Sequence, residues 1–459
     1  MEPAQEDRGL AVRLGATACL LFLLLGQAEI TILDGSSMLA VAQSVVHDGS
    51  LAVPAEVGVE GEDGRHYSKY GLFLPLLSVL PVALVQPIGL VTGRLGDLEA
   101  AAAATLMPLV AGALVAALFL LARRLGAPRP AAALVAGGAV FGTYLLPYGR
   151  DFFSEPIVAL GLVVMLERAL AGRELHAGAA LALAICARPQ AAAFAPLLWA
   201  FLLLRGGGSA GVLRTLPPLA VAAAATVAYN LARFDDPLEF GYKDPADPGF
   251  TTPFFEGASG LLFSPEKSLF LFAPAVVLVP FALTWLWRRE RVTAGVVGAV
   301  FAVTFALAAT WHSWMGGWSW GPRLLVPAIP LLLVTLAPWI DRNARRTRAA
   351  LALFAAGFAI SFAAVLAPVG AQLLDRDPDA DGPKIVRQVT ELPELARSSV
   401  DAVDEPDSYD DDYRRHLAVW QATVVRELGW GGVPLAAVGT AVLAVALVRV
   451  GRPLLRGLS

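Results

Sequence analysis

The sequence predicts an all-α, polytopic membrane protein, and three observations carry that prediction. Of the 459 residues, 56% are hydrophobic and only 16% charged, where a soluble chain of this length carries about 25% charged residues. Apolar runs long enough to cross a bilayer as helices recur along most of the chain. Lipid offers backbone polar groups no partner, so such runs must be helices that satisfy their own hydrogen bonds. Between the runs, arginines gather in the short loops of one side, as cytoplasmic loops do.

The first run, 12–30, resembles a secretory leader, but Glu2, Glu6 and Asp7 occupy what would be its basic region, so it reads as a retained helix. The polar stretch 31–70 follows as a large first extracytoplasmic loop. Within it, "DGSSMLAVAQSVVHDGSLAV" sets Met38, Leu39, Val41, Ala42, Val45 and Val46 at helical spacing. That pattern predicts an amphipathic helix lying on the membrane surface. Further apolar spans fall at 71–93, 100–122, 130–147, 156–170, 177–204 and 216–231. The series ends with 268–287, 293–310, 324–340, 349–368 and 429–449.

Arginine placement orients these spans. Only one crossing fits between the first outer loop and Arg123/Arg124, which assigns the crossing to 100–122. The preceding run, interrupted by Pro75, Pro81 and Pro87, then lies bent in the outer leaflet. The span 177–204 begins and ends beside cytoplasmic arginines, so it enters and returns, turning at "CARPQ" with Arg188 at the apex. The total is about twelve transmembrane helices, both termini inside. All four lysines, Lys69, Lys243, Lys267 and Lys384, then fall on the outer face together with the acidic and aromatic loops.

Composition also excludes. A net charge of -4 gives no reason to expect a nucleic-acid partner. Cys19 and Cys186 lie in apolar runs, where a structural disulfide is not expected, and the five histidines show no metal-ligand spacing. "DPDADG" repeats the first half of a calcium loop, but Gln388 stands where the bidentate Glu is needed. No metal ligand is assigned, and a divalent cation stays open as a cofactor.

The chemistry-bearing residues converge on the outer face. Asp34 ends the first span; alone it is an ordinary boundary acid, but the surface helix behind it holds it at a fixed depth. "EDGRHYSKYG" closes the same loop, with Asp63-Gly64 as a turn and Lys69 between Tyr67 and Tyr70. Lys69 suits a lipid-linked phosphate as a point charge, or snorkels to headgroups. In "PYGRDFFSEP", Arg150 neutralises Asp151, while Glu155 is a helix-start acid or a second cavity carboxylate. Arg188 is costly at its depth without a partner, and its alanine-rich neighbours offer none, which favours anion binding over a structural ion pair. "WHSWMGGWSWGPRLLVPAIP" clusters four tryptophans, a Gly-Gly turn and Arg323. An aromatic belt explains scattered tryptophans, but not the glycines and arginine beside them. Indole faces suit sugar C–H surfaces, which marks Tyr70, His312, Trp314 and Trp318 as sugar or acceptor contacts.

This pattern resembles the GT-C superfamily of membrane glycosyltransferases, nearest the protein O-mannosyltransferase and aminoarabinose transferase group (glycosyltransferase family 39-like). The resemblance spans most of 10–340 and rests on Asp34, "YSKYGLFLP", "FFSEP", "ARPQ" and "GGWSWGPRLLVPAIP" in that order. It implies a catalytic transmembrane domain over 1–368, an acidic outer loop or small domain over 369–428, and a last span with cytoplasmic tail over 429–459. It implies a polyprenyl-phosphate-linked sugar donor used on the extracytoplasmic face of a bacterial cell membrane. The acceptor would be a lipid, polysaccharide or protein of the cell envelope. Asp34 would match the catalytic loop acid, Lys69 the donor-phosphate lysine, and Glu155 the helix-start acid lining the cavity. The family often carries two acids in its first loop; here Gly35 follows Asp34.

The residues fit that chemistry. Attack of an acceptor hydroxyl on the anomeric carbon needs one base, and the phosphate leaving group needs positive charge more than a proton. One acid, Asp34, with the cations Lys69, Arg188 and Arg323 for the donor phosphate is a sufficient set, and single displacement inverts the anomeric centre. The rival class is a transporter or lipid flippase. Those folds show paired broken segments and midplane polar groups, of which Arg188 alone is a candidate here.

Overall fold

The computed structural model describes residues 5–30, 32–242, 248–317, 319–341, 343–366 and 419–458. Helix α1 (Gln5–Leu24) opens the chain. The loop after it carries α2 (Leu33–Asp48) and, among the described residues, the one sheet, a hairpin of Val59–Glu60 with His66–Tyr67. Asp63 makes the hairpin turn as expected, accepting from the Arg65 amide at 3.0 Å and the Tyr67 hydroxyl at 2.8 Å. Next come α3 (Phe73–Thr92), α4 (Leu95–Ala104) and α5 (Leu106–Arg124), the last two running on as one apolar stretch of 30 residues.

The prolines of α3 do not break it. Pro81 and Pro87 lie inside it, yet it is a continuous 20-residue helix, long and apolar enough to cross a membrane. Its main packing partners are α2 and α4. Pro75 sits in the first turn, where no backbone donor is needed.

Helix α1 packs along α5 through facing glycines: a Cβ on Gly15 would stand 2.7 Å from the Gly112 carbonyl. Close backbone approach through small residues is how helices associate where lipid removes the hydrophobic drive. Helices α6 (Arg129–Phe141), α7 (Leu145–Tyr148) and α8 (Glu155–Leu170) follow, with α8 packed on α5. Helix α9 (Glu174–Ala187) lies against α8 on one side and α11 (Gly208–Phe234) on the other. Between α9 and α11 the chain doubles back through a 3-10 turn, Pro189–Phe194, and α10 (Ala195–Leu204). Gly178 of α9 and Trp199 of α10 both meet Thr215 of α11, which is the geometry of the expected hairpin.

The remaining described helices are α12 (Phe254–Phe263), α13 (Leu269–Phe272), α14 (Val279–Trp287), α15 (Arg291–Thr310), α16 (Ile329–Leu333), α17 (Leu336–Ile340) and α18 (Ala344–Leu366), then two further helices, Trp420–Leu428 and Gly432–Leu458. Besides 130–147, which divides into α6 and α7, two more apolar runs expected to be single spans are segmented. The run from 268 breaks at Pro274 into α13, a 3-10 turn and α14. The run from 324 breaks into α16 and α17, each carrying a proline, and its interior is buried. Proline removes an N–H and obstructs the preceding turn, and the buried surroundings tolerate the interruption. Among the described residues, six helices are long and apolar enough to span a bilayer, and the shorter apolar helices pack between them.

Charge is sorted between the two ends of the bundle. At one end Arg123 and Arg129 bind Asp7 at 2.9 and 2.7 Å, Arg124 binds Glu167 at 2.6 Å, and Arg205 binds Glu290 at 2.8 Å. The opposite end gathers the start of α2, the loop at Lys69 and Tyr70, the segment before α8, the hairpin apex and the 311–323 loop.

Candidate active site

Asp34 lies in the first turn of α2, not ahead of it. Its Oδ1 accepts a 2.6 Å hydrogen bond from the Tyr70 hydroxyl, and its Oδ2 is ion-paired with the Arg323 guanidinium. Gly35 is closely packed: a Cβ there would come within 3.0 Å of the Phe152 carbonyl and closer still to the Ile30 and Ile32 side chains. Burial works against ionisation of Asp34, but Arg323, the Tyr70 hydrogen bond and Arg188 outweigh it and hold its carboxyl below the ordinary value.

Glu155 begins α8 and is 1% exposed. Its Oε1 accepts from Arg323 Nε at 2.6 Å and from Arg188 Nη2 at 2.7 Å, while Oε2 has no partner. Arg188 stands in extended backbone at the hairpin apex and also donates to the Ser154 hydroxyl at 2.8 Å. The expectation that Arg188 lacks a partner is therefore corrected: Glu155 and Ser154, 33 and 34 residues away, supply it. The result is an alternating chain, Asp34–Arg323–Glu155–Arg188, whose four charges cancel. Arg323 also lies over the Phe153 ring, 4.6 Å from its centroid. Arg150 meets Asp151 at 3.4 Å, as expected, and donates to the Leu25 and Val365 carbonyls at 2.8 and 2.6 Å, fastening this segment to the ends of α1 and α18.

Lys69 and Tyr70 line a pocket with Pro189, Asn230, Arg233 and Phe240, and the Lys69 ammonium sits 5.1 Å from the Tyr242 ring centroid. The loop reaches this place because Gly71 packs directly on the Ala187 carbonyl and because Ser37 of α2 donates to Ser68 at 2.9 Å. Arg233, on the last turn of α11, was not singled out from the sequence. It is 4% exposed and its hydrogen-bond acceptors among the described residues are neutral: the Ser68 carbonyl, the Tyr229 carbonyl at 3.1 Å and Asn230 Oδ1 at 2.7 Å. Its guanidinium is stacked 3.7 Å from the Tyr229 ring centroid. The pocket thus holds two cations, and Tyr70 belongs to both the pocket and the acid.

The aromatic loop is arranged differently from its cluster in sequence. The Trp314 ring covers Gly260 of α12, and the His312 amide donates to the Gly249 carbonyl at 2.8 Å while its ring lies against Trp311. Trp320 is buried, with its carbonyl accepting from the Tyr148 hydroxyl at 2.9 Å. Trp318 and the calcium-like "DPDADG" stretch lie outside the described residues. Among the described residues no cluster of three or more His, Cys, Asp or Glu is arranged to hold a metal ion.

No protein-family model matches this sequence, and no curated protein matches it. Solved structures do. The apo structure of ArnT from Cupriavidus metallidurans is similar over 93% of this chain and 73% of its own, with 16% identity and a TM-score of 0.50. ArnT bound to undecaprenyl phosphate gives 17% identity over 97% and 76%, with a TM-score of 0.49. The Archaeoglobus fulgidus oligosaccharyltransferase, in complex with Zn and sulfate, gives 14% identity and a TM-score of 0.54. This chain spans 57% of that protein, with 88% of its own length covered. The chain shares the fold of ArnT and of the archaeal oligosaccharyltransferase.

Proposed function

We propose that this protein is a membrane glycosyltransferase that moves a sugar from a polyprenyl-phosphate donor to a cell-envelope acceptor. The observation that carries the reading is Tyr70: one side chain lines the two-cation pocket and donates to Asp34 beside it. A phosphate in the pocket and a sugar reaching past Tyr70 would bring the anomeric carbon toward Asp34. ArnT, whose apo form shares the fold, binds undecaprenyl phosphate, and the donor here is read in the same way.

Lys69 and Arg233 are assigned to the donor phosphate. Arg188 and Arg323, first considered for that role, are here the partners of the acids. In the transfer, the acceptor oxygen forms a bond to the anomeric carbon as the bond from that carbon to the phosphate oxygen breaks. The electron pair leaves with the phosphate, where the pocket cations offset the charge. The hydroxyl proton passes to Asp34, and the products are the glycoside and polyprenyl phosphate. Ion-paired Asp34 is a weak base, but the attacking hydroxyl becomes strongly acidic as its new bond forms, so a weak base suffices. Attack from the face opposite the phosphate inverts the anomeric centre. Glu155 fixes Arg323 against Asp34, and Tyr70 and the 311–323 loop contact sugar or acceptor.

The site end of the bundle is assigned to the extracytoplasmic side because the opposite end carries the arginine-rich loops, with about twelve crossings in all. Arg188, the one polar group that spoke for a transporter, lies at the site end of the bundle and is paired with Glu155. The test is transfer itself: proteoliposomes of the full chain receive polyprenyl-phosphate sugars and envelope lipids, and glycans are compared by mass spectrometry with and without the gene. Loss of one sugar from the envelope supports the reading; substrate movement across the vesicle without transfer contradicts it.

A further inference from the structure

Lys267 is a buried cation that the chemistry above does not use. It lies in the short connection between α12 and α13 and is 5% exposed. Its ammonium donates to the Ser319 carbonyl at 2.5 Å, the Ser319 hydroxyl at 3.2 Å and the Gly317 carbonyl at 3.3 Å. All three oxygens belong to the turn that precedes Arg323. The Ser319 hydroxyl passes the constraint on, donating to the Gly316 carbonyl at 3.1 Å, and the same carbonyl faces Arg323 Nη1 at 3.5 Å. A Cβ on Gly316 would come 3.2 Å from that of Arg323, so the turn and the arginine are in direct contact. Gly316 and Gly317 hold left-handed backbone, φ 72° and 65°, a conformation that glycine adopts without strain.

We propose that Lys267 is a positioning residue for sugar transfer: its ammonium holds the Gly317 and Ser319 carbonyls and the Ser319 hydroxyl and thereby sets Arg323 between Asp34 and Glu155. The proposal rests on the reading of Asp34 as the transfer base. A lysine suits the task because a compact ammonium has three donors that can be aimed independently, whereas a guanidinium fork is planar and rigid. An apolar side chain of similar length would fill the volume but offer these oxygens no donor.

The test compares Lys267→Met, Lys267→Arg and Ser319→Ala with the unmodified full chain in lipid nanodiscs. In Lys267→Met, cryo-EM maps show Arg323 withdrawn from Asp34. Its kcat falls by about 10- to 100-fold, the cost expected of small misplacements, with KM for the donor within about twofold. The acid limb of the kcat pH profile moves upward, because Asp34 loses its cation. Lys267→Arg recovers part of the limb shift, and Ser319→Ala shows a smaller shift in the same direction. A Lys267→Met map with Arg323 unmoved, or an acid limb that stays in place, overturns the proposal. Should Lys267→Met fail to fold, Ser319→Ala decides, an unmoved limb again overturning it. If the unmodified chain transfers no sugar, the transfer reading falls, while the maps still decide whether Lys267 positions Arg323.

Discussion

Tyr70 donates its hydroxyl proton to Asp34 Oδ1 at 2.6 Å, and this bond joins the pocket that holds Lys69 to the acid at the start of α2. A hydrogen bond to an ionised group contributes about 1.5–3 kcal/mol. Tyr70→Phe leaves the ring in the pocket and removes only that bond. It is expected to lower kcat by about 10- to 100-fold, with KM for the donor little changed. Transfer kinetics in proteoliposomes check this, and unchanged kcat would show that the bond orients nothing the reaction needs.

Lys69 and Arg233 line the pocket together with Tyr70. Each is expected to act on donor affinity and on turnover, because the phosphodiester is already an anion when bound and gains further negative charge as the bond breaks. Lys69→Ala and Arg233→Met should each raise the donor KM by about tenfold or more, the loss of one charge-assisted contact. Titration with polyprenyl phosphate alone, read by protection against heating, should weaken in parallel. Affinity unchanged in both variants would place the phosphate elsewhere.

Glu155 is fully buried and shared by two arginines. Glu155→Gln preserves its volume but leaves Arg188 and Arg323 without their common anion, a change that costs about 3–5 kcal/mol when a buried pair is broken. A clear fall in the unfolding temperature of the detergent-solubilised protein is the expected outcome. Equal stability would mean that water or lipid headgroups reach the arginines.

The pH dependence follows from Asp34. Burial raises its carboxyl, but Arg323 leads the opposing causes and the net direction is downward. A carboxylate with a depressed folded value stabilises the fold above its unfolded value, about 3.9. That contribution is lost as pH falls through the lower folded value. The wild-type acid limb should therefore lie below the ordinary Asp range. Arg323→Gln leaves burial in charge, so the limb should move above it and activity should disappear at a higher pH than in the wild type. A limb that does not move would separate Arg323 from Asp34 in solution.

Much of the site was legible in the sequence because polar residues in an apolar chain are few and costly. Asp34, Lys69, Tyr70, Glu155, Arg188 and Arg323 all stand at one end of the bundle. Their pairing was not legible, since Arg323 meets Asp34 across 289 residues and Arg188 meets Glu155 across two helices. Arg233 was passed over because an arginine closing an apolar span reads as a boundary charge. Trp314 is half-buried with its ring over Gly260, a packing contact that adjacency to Gly316 and Gly317 in sequence does not reveal. Hydropathy also registers the run through Pro330 and Pro338 as one span, because it counts apolar residues and does not see the missing N–H groups.

The central claim is that Asp34 takes the acceptor proton. Asp34→Asn keeps the shape of the side chain and an acceptor for Tyr70 while removing the charge. In proteoliposomes supplied with a polyprenyl-phosphate sugar that the wild type uses, the account predicts that kcat falls by about 100- to 10,000-fold, the usual contribution of a positioned base, with the donor still bound. Wild-type turnover in Asp34→Asn would contradict it.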